Sequence, residues 1–443
     1  MEDIVQDLNQ TLERATMRRV YWRLIPLLFV GMFFNYLDRI NIGFAALKMN
    51  HDLGLTPAVF GFGASVFFFG YMLLGVPSNL MLERVGARLW IPVILIFWGL
   101  IATLTAFVKG ALSFDALRFL LGVAEAGALP GFALYVTYWF PSAYRAQAIA
   151  GYIIAGQAAA VFGSPIAAAL IGVTHHLFGL HGWQWMFVME GLPTVLLGIA
   201  FLVLLTDRPA DARWLSPEQR TWLQRRLDDE RAASEGVRKF RLVEAVSDGR
   251  VWALSILFGC ALVGVYGLLI WLPQIINAMG HLSLIEIGLL AAIPPLLGVV
   301  GQLGISYSSD RSGERKKHLA FVYLLACVAL AASAVSPNVT LAYVLLCVAG
   351  LGIFAGNPLF WSISSEMMTG TAGAIAIAFI NSIAQFGGLI GPWMIGWVKS
   401  STGSFSDALL AISAFLLVAS IIALRLRIVP TVRTAGKTAP AQV

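Results

Sequence analysis

Twelve apolar runs, each about as long as a bilayer-spanning helix, dominate the 443 residues of this chain. A helix needs roughly 20 residues to cross a hydrocarbon core of about 30 Å. Strands of a membrane barrel would alternate apolar and polar residues over about 10 positions, whereas a run such as IPVILIFWGLIATLTAFV is apolar on every side. The runs therefore predict helices, and the predicted spans are 22–47, 58–82, 89–109, 113–140, 145–173, 184–206, 251–279, 284–308, 317–336, 339–363, 370–399 and 405–427.

The composition excludes an ordinary soluble protein. Hydrophobic residues make up 58% of the chain and charged residues 12%, and the mean hydropathy is +0.79, which is far from the balance of soluble domains. The first twenty residues are polar and charged, so we expect no cleavable signal peptide before the first span. Each of the three cysteines lies alone in an apolar run, which favours packing over disulfide or metal chemistry.

The distribution of lysine and arginine sets the expected orientation. With the N-terminus inside, Lys48, Lys109 and Lys399 fall in outer loops, Arg39 and Arg118 fall within spans, and the other basic residues are cytoplasmic. The positive-inside rule then places both termini in the cytoplasm. A net charge of +6 that is spread over many segments does not form the single basic face of a nucleic-acid-binding domain, so we expect no nucleic-acid partner.

One long polar stretch, residues 206–250, divides the spans into six and six. Within it, Ser216 to Gln219 has the form of a capping box with proline at the first helical position, which predicts a surface helix over about 217–231. The predicted fold is an all-α membrane protein with two pseudo-symmetric six-helix bundles. Its predicted parts are a cytoplasmic N-terminal segment (1–21), an N-terminal bundle (22–206), a cytoplasmic linker (207–250), a C-terminal bundle (251–427) and a cytoplasmic tail (428–443).

The two halves repeat each other. The charged loop after the second span, residues 83–88, recurs 227 residues later after the eighth span, and Gln157 recurs at close to the same offset as Gln385. Secondary transporters are commonly built from such repeats. We interpret the loops as conformational latches, in which the acid pairs with an arginine or a helix N-terminus in one conformation only, although either loop alone could equally be a charged turn. The latch candidates are Glu83, Arg84, Gly86, Arg88, Asp310, Arg311, Gly313 and Arg315.

Four charged residues lie well inside the predicted spans, although each costs about 2.5–3.5 kcal/mol at a helix centre. Asp38 and Arg39 lie in the first span, and Arg118 and Glu125 share one face of the fourth, roughly 10.5 Å apart. Guanidinium groups offer bidentate forks for a carboxylate, and buried acids can take up and release protons. The pattern predicts an anion site with proton coupling, and either Asp38 or Glu125 is the main proton carrier. The alternative is that the four residues only pair to hold helices together.

Other polar residues on the spans could complete the pocket, although each is more often a packing residue. The candidates are Tyr36, Tyr71, Gln157, Gln274, Trp361, Ser364, Asn381 and Gln385. Pro130 with Gly131, and Pro165 after Gly163 and Ser164, predict helix breaks that either bend during transport or are static kinks.

Motifs of enzymatic chemistry are missing from the sequence, which contains no His-x-x-x-His, no Cys-x-x-Cys and no phosphate-binding loop. His175, His176 and His181 fall in an outer loop without acidic partners at metal-ligand spacing, so we interpret them as surface residues. We therefore expect a protein that is not an enzyme and that has no metal site and no cofactor.

Five segments together carry a family resemblance: YLDRINIGFA, RFLLGVAEAGALPGFALYVTYWFP, GWQWMFVMEGLPTVLLG, LTDRPADARWL and YGLLIWLPQII. Over about residues 20–430 the chain resembles the anion:cation symporter family of the major facilitator superfamily. That family includes bacterial permeases for galactonate, tartrate, phthalate, nicotinate and 4-hydroxyphenylacetate, and the animal sialin and vesicular glutamate transporter branch. The resemblance implies a central cavity between two bundles, with Arg39 and Arg118 serving the anion and Asp38 and Glu125 serving the proton.

The resemblance extends less closely to the rest of the site and to the first latch. Gln157 and Asn381 resemble family positions that line the substrate site. Asn79, Glu83 and Ala87 depart from the superfamily's loop pattern, in which glycine, aspartate and a basic residue are usual, and this bears on the strength of the first latch.

The expected function is import of a small organic anion by proton symport with alternating access, in a bacterial-type inner membrane, by a monomer driven by the proton gradient. Alternatives are an antiporter or exporter of drugs or metabolites of the same superfamily, and a membrane receptor that binds without transporting. The anion stays open, since sugar acids would use Gln157 and Asn381 whereas aromatic acids would use Tyr71 and Trp361. Hydroxy-dicarboxylates belong to the same range of expected substrates.

Overall fold

The computed structural model describes residues 2–235, 247–368 and 370–426. Sixteen α-helices of 11 residues or more occupy this part of the chain, which contains no strand. They are α1 (Glu2–Ile40), α2 (Ile42–Asp52), α3 (Pro57–Val85), α4 (Ala87–Leu104), α5 (Ala111–Glu125), α6 (Ala128–Trp139), α7 (Ser142–Val173), α8 (Gly182–Leu204), α9 (Pro217–Glu235), α10 (Gly249–Ala278), α11 (Leu284–Ser312), α12 (Arg315–Val335), α13 (Val339–Met367), α14 (Gly370–Ala384), α15 (Phe386–Thr402) and α16 (Phe405–Arg425).

Eleven helical stretches among the described residues are long and apolar enough to cross a membrane. The predicted span 370–399 is divided between α14 and α15, which meet at Gln385. Counting this divided span, the described chain has twelve crossings, six from α1 to α8 and six from α10 to α16. The predicted all-helical membrane fold is confirmed.

Two of the crossings are broken beside the predicted charged residues. α1 ends one residue after Arg39, and α5 ends at Glu125. The second break follows from Pro130, which has no N–H for the carbonyl of Ala126 and whose ring clashes with it. By contrast, α7 runs unbroken through Pro165.

The two halves contact each other at the end of the molecule that holds the turn between α2 and α3. There α3 packs on α15, α7 on α11 and α2 on α10. Gly61 permits the closest approach, since a Cβ at this position would lie 2.7 Å from the carbonyl oxygen of Pro392 and 3.0 Å from the Cα of Gly396. The N–H of Ala58 donates to Ser400 Oγ at 2.9 Å. This end of the bundle is closed, and we call it the closed end.

Contacts between the halves continue toward the middle of the molecule. Phe60 of α3 packs edge-on against Trp271 of α10, with ring centroids 5.1 Å apart. Deeper still, the ring of Phe68 lies 4.5 Å from that of Tyr266. These aromatic pairs separate the closed end from the region where the charged residues lie.

The linker helix α9 is attached to the N-terminal half at the opposite end. The predicted capping box forms, since Gln219 N–H donates to Ser216 Oγ and Ser216 N–H to Gln219 Oε1, both at 3.2 Å. Farther along α9, Glu230 accepts from the N–H of Ser142 at 3.0 Å and from Arg145 Nη2 at 3.2 Å. A carboxylate at the first turn of α7 is also favoured by the helix dipole. These bonds tie the linker to the start of α7.

Candidate functional site

Arg39 and Glu125 form a buried ion pair at the two helix breaks. Arg39 Nε donates to Glu125 Oε2 at 3.0 Å, and the two side chains are 5% and 0% exposed. Asn35, one turn before Arg39, donates Nδ2 to the same oxygen at 2.9 Å. From the other half, Tyr266 places its hydroxyl 3.5 Å from Arg39 Nη1. Such pairing is needed because an unpartnered buried charge is strongly destabilising.

Arg118 has no comparable partner, although it lies on the same helix as Glu125. It is 1% exposed, and its Nε, Nη1 and Nη2 atoms are all buried without a hydrogen-bond partner. Its guanidinium lies 4.9 Å from the centroid of the Phe67 ring, a contact that offsets only part of the lost hydration. Arg39 Nη2 is likewise buried without a partner. The two arginines thus present donors that the protein leaves unsatisfied, and the planar oxygens of a carboxylate match such donors.

Aromatic rings frame the two guanidinium groups. The Arg39 guanidinium lies 4.7 Å from the ring centroid of Tyr71, 5.3 Å from that of Phe67 and 5.7 Å from that of Tyr36. Tyr36 and Tyr71 were predicted from the sequence, whereas Phe67 was not. Because the ring of Phe67 contacts both arginines, it fixes them relative to each other.

Asp38 faces a different helix from its neighbour Arg39. Its carboxylate accepts a hydrogen bond from the indole Nε1 of Trp98 on α4, and the side chain is 4% exposed. Adjacent residues of a helix point about 100° apart, which allows Arg39 to face α5 while Asp38 faces α4. Asp38 also interacts electrostatically with Glu125 and Arg118. The four charged residues predicted from the sequence therefore lie in one cluster.

Gln157 bridges the two halves. Its Nε2 donates to Gln302 Oε1 at 2.9 Å, and Gln302 in turn donates to the carbonyl of Phe354 at 2.8 Å. Gln157 is therefore engaged in closing α7 against α11 in this conformation. Its place in the substrate site stays a prediction.

The predicted site residues of the C-terminal half form no hydrogen bond with the four charged side chains in the described part of the chain. Trp361 packs edge-on against Phe258, with ring centroids 5.1 Å apart, and Ser364 Oγ donates to the carbonyl of Phe360 at 2.8 Å. Asn381 is partly buried on α14. In the described part of the chain, Tyr266 is the residue of this half that hydrogen-bonds to one of the four charged side chains.

The first predicted latch is arranged around an acid that the sequence did not single out. The N–H of Arg88, at the start of α4, donates to Asp207 Oδ1 at 2.8 Å. Gly86 makes room for this contact, because a Cβ there would lie 3.0 Å from the same oxygen, and its φ of +92° suits glycine. Glu83 and Arg84 form no ion pair with other described residues.

The second predicted latch contains ion pairs. Arg315 Nη2 lies 3.5 Å from Asp310 Oδ1, and Arg315 Nη1 lies 2.9 Å from Glu366 Oε1 at the end of α13. Gly313 ends α11 in the left-handed conformation, with φ of +69°. Exposed pairs of this kind contribute about 0–1 kcal/mol each, so they bias a conformational equilibrium without locking it. Arg311 is exposed in the same turn.

Glu314 caps the helix that follows the second latch. Its side chain accepts a hydrogen bond from the N–H of Lys317 at 3.2 Å. This backbone donor lowers the pKa of Glu314 below its usual value, and the neighbouring lysine ammonium groups add to the effect. The charged carboxylate thus stabilises the first turn of α12.

Of the three histidines between α7 and α8, His181 has an acidic partner that the local sequence did not show. Asp52, at the end of α2, lies 3.2 Å from His181 Nδ1, and it accepts from Trp183 Nε1 at 2.8 Å. Asp52 is distant in sequence, so spacing within the loop could not reveal it. Among the residues that the structure describes, no group of three or more His, Cys, Asp or Glu side chains is placed to hold a metal ion.

Besides Phe67, sequence reasoning missed three residues of the cluster. Glu190 is a buried acid in the α8 crossing, 2% exposed, and the rule that singled out the other buried charges applies to it equally. Trp98 and Tyr266 carry no such signal, because aromatic residues are common in membrane spans. Their roles depend on which way their helices face.

The family to which the chain belongs follows from comparison with known protein families. Residues 28–392 match the model of the Major Facilitator Superfamily, and a second match covers residues 281–442. The chain belongs to the Major Facilitator Superfamily. Membership confirms the predicted resemblance and the expectation of a transporter in place of an enzyme.

Relatives within the Major Facilitator Superfamily span the whole chain. A putative tartrate transporter of Agrobacterium vitis is 44% identical over 98% of this chain and 100% of its own length. A quinolone resistance transporter of Acinetobacter baumannii is 38% identical over 91% of this chain and 93% of its own. The crystal structure of a bacterial homologue of the human lysosomal transporter Spinster, inward-facing and unoccupied, has a TM-score of 0.78 at 17% identity and covers 92% of this chain and 96% of its own. At that identity the likeness shows the fold alone.

Proposed function

We propose that this member of the Major Facilitator Superfamily imports a small organic anion together with protons, by alternating access of its two halves. The observation that carries the proposal is the Arg118 guanidinium, which is 1% exposed and has no hydrogen-bond partner on any nitrogen. An unpaired buried cation is strongly destabilising. A carboxylate bound between Arg118 and the free Nη2 of Arg39 would satisfy both groups with charge-assisted hydrogen bonds.

Proton coupling follows from competition for Arg39. A substrate carboxylate that approaches Arg39 competes with Glu125, which holds the Nε of that arginine at 3.0 Å. Once released, Glu125 would be a buried carboxylate with fewer donors, and uptake of a proton removes that charge. Anion and proton then enter the occluded site together, and either Glu125 or Asp38 is the main proton carrier.

The closed end is the outer end if both termini are cytoplasmic, as the basic residues of the inner loops favour. The described conformation then faces the cytoplasm. Return of the empty protein to the outward-facing conformation would require the contact of Gly61 with Gly396 to open. The bacterial relatives support an inner-membrane location, and nothing in the cluster needs a second protein copy, so we propose a functional monomer.

Hydroxy-dicarboxylates are the substrate class that we favour. A relative with 44% identity over nearly the whole chain is named a putative tartrate transporter. Arg39 and Arg118 both contact the ring of Phe67. This arrangement also suits an anion with two carboxylates, since each guanidinium can form a bidentate pair with one of them. Sugar acids and aromatic carboxylates remain useful competitors in a substrate panel.

Uptake into proteoliposomes tests the proposal. The purified protein is reconstituted, a pH gradient is imposed, and tartrate, a sugar acid and an aromatic carboxylate are offered in turn while a trapped dye reports internal pH. We expect at least one anion to accumulate and to bring protons inward with it. Accumulation that ignores the pH gradient would contradict the proton coupling, and no accumulation of any carboxylate would contradict the substrate class.

Export of drugs by proton antiport is a second candidate, which the quinolone resistance relative supports. The same assay separates the two, because an antiporter moves protons against the direction of the substrate. A receptor that binds without transporting would show saturable binding of an anion and no accumulation in sealed vesicles.

A further inference from the structure

Glu190 is a third buried acid in the N-terminal half, and it lies in the membrane crossing of α8. Neither of its carboxyl oxygens has a hydrogen-bond partner, and the residue is 2% exposed. Glu125 differs, because Arg39 and Asn35 both donate to it. An ionised carboxylate that is buried without a donor is strongly unfavourable. Burial without a donated hydrogen bond favours the protonated form of Glu190, whereas Glu125 accepts from two donors that compensate its charge.

Close packing of α8 on α4 brings Glu190 to the Asp38 side of the cluster. A Cβ on Gly191 would lie 2.6 Å from the carbonyl oxygen of Gly99, and a Cβ on Gly99 would lie 2.7 Å from that of Gly191. The residue before Gly99 is Trp98, whose indole donates to Asp38. The two glycines thus set Glu190 and the Trp98 to Asp38 pair at the same level of the membrane.

Asp38 is the ionisable group that interacts electrostatically with Glu190. The Asn41 amide, at the break between α1 and α2, is the other polar neighbour, and neither its nitrogen nor its oxygen has a hydrogen-bond partner. From α4, Thr103 contributes a hydroxyl beside Gly191. On its far side, Asp38 interacts with Glu125, Arg118 and Arg39.

We propose that Glu190 exchanges a proton with Asp38 during transport. The O–H bond of Glu190 breaks, its proton moves to a carboxylate oxygen of Asp38, and the negative charge passes to Glu190. The pair keeps one proton and one charge throughout, and the Asn41 amide, which lies near Glu190 and has no other partner, can donate to the Glu190 carboxylate once it is charged. The inference rests on the proposed proton symport and adds a second acid to the Asp38 side of the site, away from the Arg39 to Glu125 pair.

Infrared spectroscopy of the reconstituted protein tests the proton on Glu190 without any substrate. A protonated carboxyl absorbs separately from a carboxylate, so the difference spectrum between the wild type and Glu190→Gln should show one buried protonated carboxyl. The pH at which that band titrates should change in Asp38→Asn. Absence of the band, or a band that titrates at the same pH in Asp38→Asn as in the wild type, would overturn the proposal.

Transport with tartrate as the probe gives the second measurement. We expect Glu190→Gln to lower pH-driven accumulation by about tenfold or more, to retain exchange of tartrate at equal concentrations, and to recover accumulation in Glu190→Asp. Thr194→Val is the matched control, since Thr194 is fully buried one turn along α8 and bonds only the carbonyl of Glu190. Loss of exchange in Glu190→Gln, or full accumulation, would overturn the proposal. If the wild type fails to couple protons, the proposed function is overturned instead. The infrared measurement still tests the proton on Glu190 independently.

Discussion

Arg39 and Arg118 face the same aromatic ring, that of Phe67, at 5.3 and 4.9 Å, but only Arg39 is paired with a carboxylate. Two identical groups in one site are therefore in different electrostatic states. A bound anion would remove the difference, because it supplies Arg118 with the partner that Arg39 already has in Glu125. Under the proposed function, this difference makes Arg118 the first contact for the anion.

Arg118→Lys should weaken anion binding by about ten- to a hundredfold. Lysine keeps the charge but loses the planar fork, and a hydrogen bond to a charged group contributes about 1.5–3 kcal/mol. Affinity measured by calorimetry or thermal shift with tartrate checks this. Arg84→Lys, in the last turn of α3 and outside the cluster, is the control and should bind normally; equal affinity in both variants would argue against bidentate binding at Arg118.

Glu125→Gln should separate exchange from accumulation. The amide oxygen still accepts from Arg39, so the site keeps its shape, but the side chain can no longer lose and regain a proton. We expect exchange at equal substrate concentrations to continue and pH-driven accumulation to disappear. Asp115→Asn on the same helix serves as the comparison, and a Glu125→Gln protein that accumulates anion as well as the wild type would remove Glu125 from proton coupling.

Gly61→Ala should shift the protein toward a conformation that is open at the closed end. A Cβ at this position would meet Pro392 and Gly396 on α15 at 2.7 and 3.0 Å, and the backbone there cannot move aside cheaply. Spin labels at the exposed positions Lys109 and Ser401 should report longer distances in this variant. Gly304→Ala, whose Cβ would have open space, should leave the distances unchanged; a similar lengthening in both would show that the effect is not steric.

Glu230→Gln should loosen the linker helix from the N-terminal half. The carboxylate receives bonds from Ser142 and Arg145, and the amide loses the charge that strengthens both, for a cost of about 1–2 kcal/mol of local stability. Hydrogen exchange over residues 217–235 should become faster. Asp228→Asn, whose carboxylate bonds Gln224 within the same helix, should change exchange much less, and equal rates in the two variants would contradict the docking role of Glu230.

Glu314 predicts a pH-dependent contribution to stability. Its pKa is lowered in the folded protein by the Lys317 N–H, so its contribution is present above the ordinary pKa of glutamate and disappears as the pH falls through the lowered value. A helix cap of this kind is typically worth about 1 kcal/mol. Thermal unfolding of the wild type and Glu314→Gln should therefore differ at neutral pH and converge in acid; a difference that persists in acid would mean that packing, not charge, is responsible.

The hydropathy of the sequence and its isolated charged residues predicted the membrane spans and the buried charges, but not the contacts between helices. The spans and the four buried charges follow from rules about the cost of polar groups in hydrocarbon. The same rule applies to Glu190. It was not predicted from the sequence, because its segment served only as evidence of the family resemblance. The break in the fourth span was predicted as well, from Pro130, which disrupts the bond to Ala126 four residues earlier.

Partners on other helices could not be predicted in the same way. Trp98 reaches Asp38, and Asp207 reaches the start of α4 at Arg88, because of how neighbouring helices are rotated about their axes. Hydropathy is nearly uniform around these spans and does not specify that rotation. Glu83 illustrates the consequence, since it was chosen as the latch acid from its loop pattern while the structure brings Asp207 to that helix end.

The buried charges of the described chain, Asp38, Arg39, Arg118, Glu125 and Glu190, all belong to the N-terminal half. The C-terminal half offers the cluster a tyrosine hydroxyl and aromatic surface. Under the proposed symport, proton coupling therefore depends on the N-terminal half, whereas the C-terminal half contributes one wall of the substrate site. Substitutions in the C-terminal half would then change substrate selectivity while proton coupling is retained.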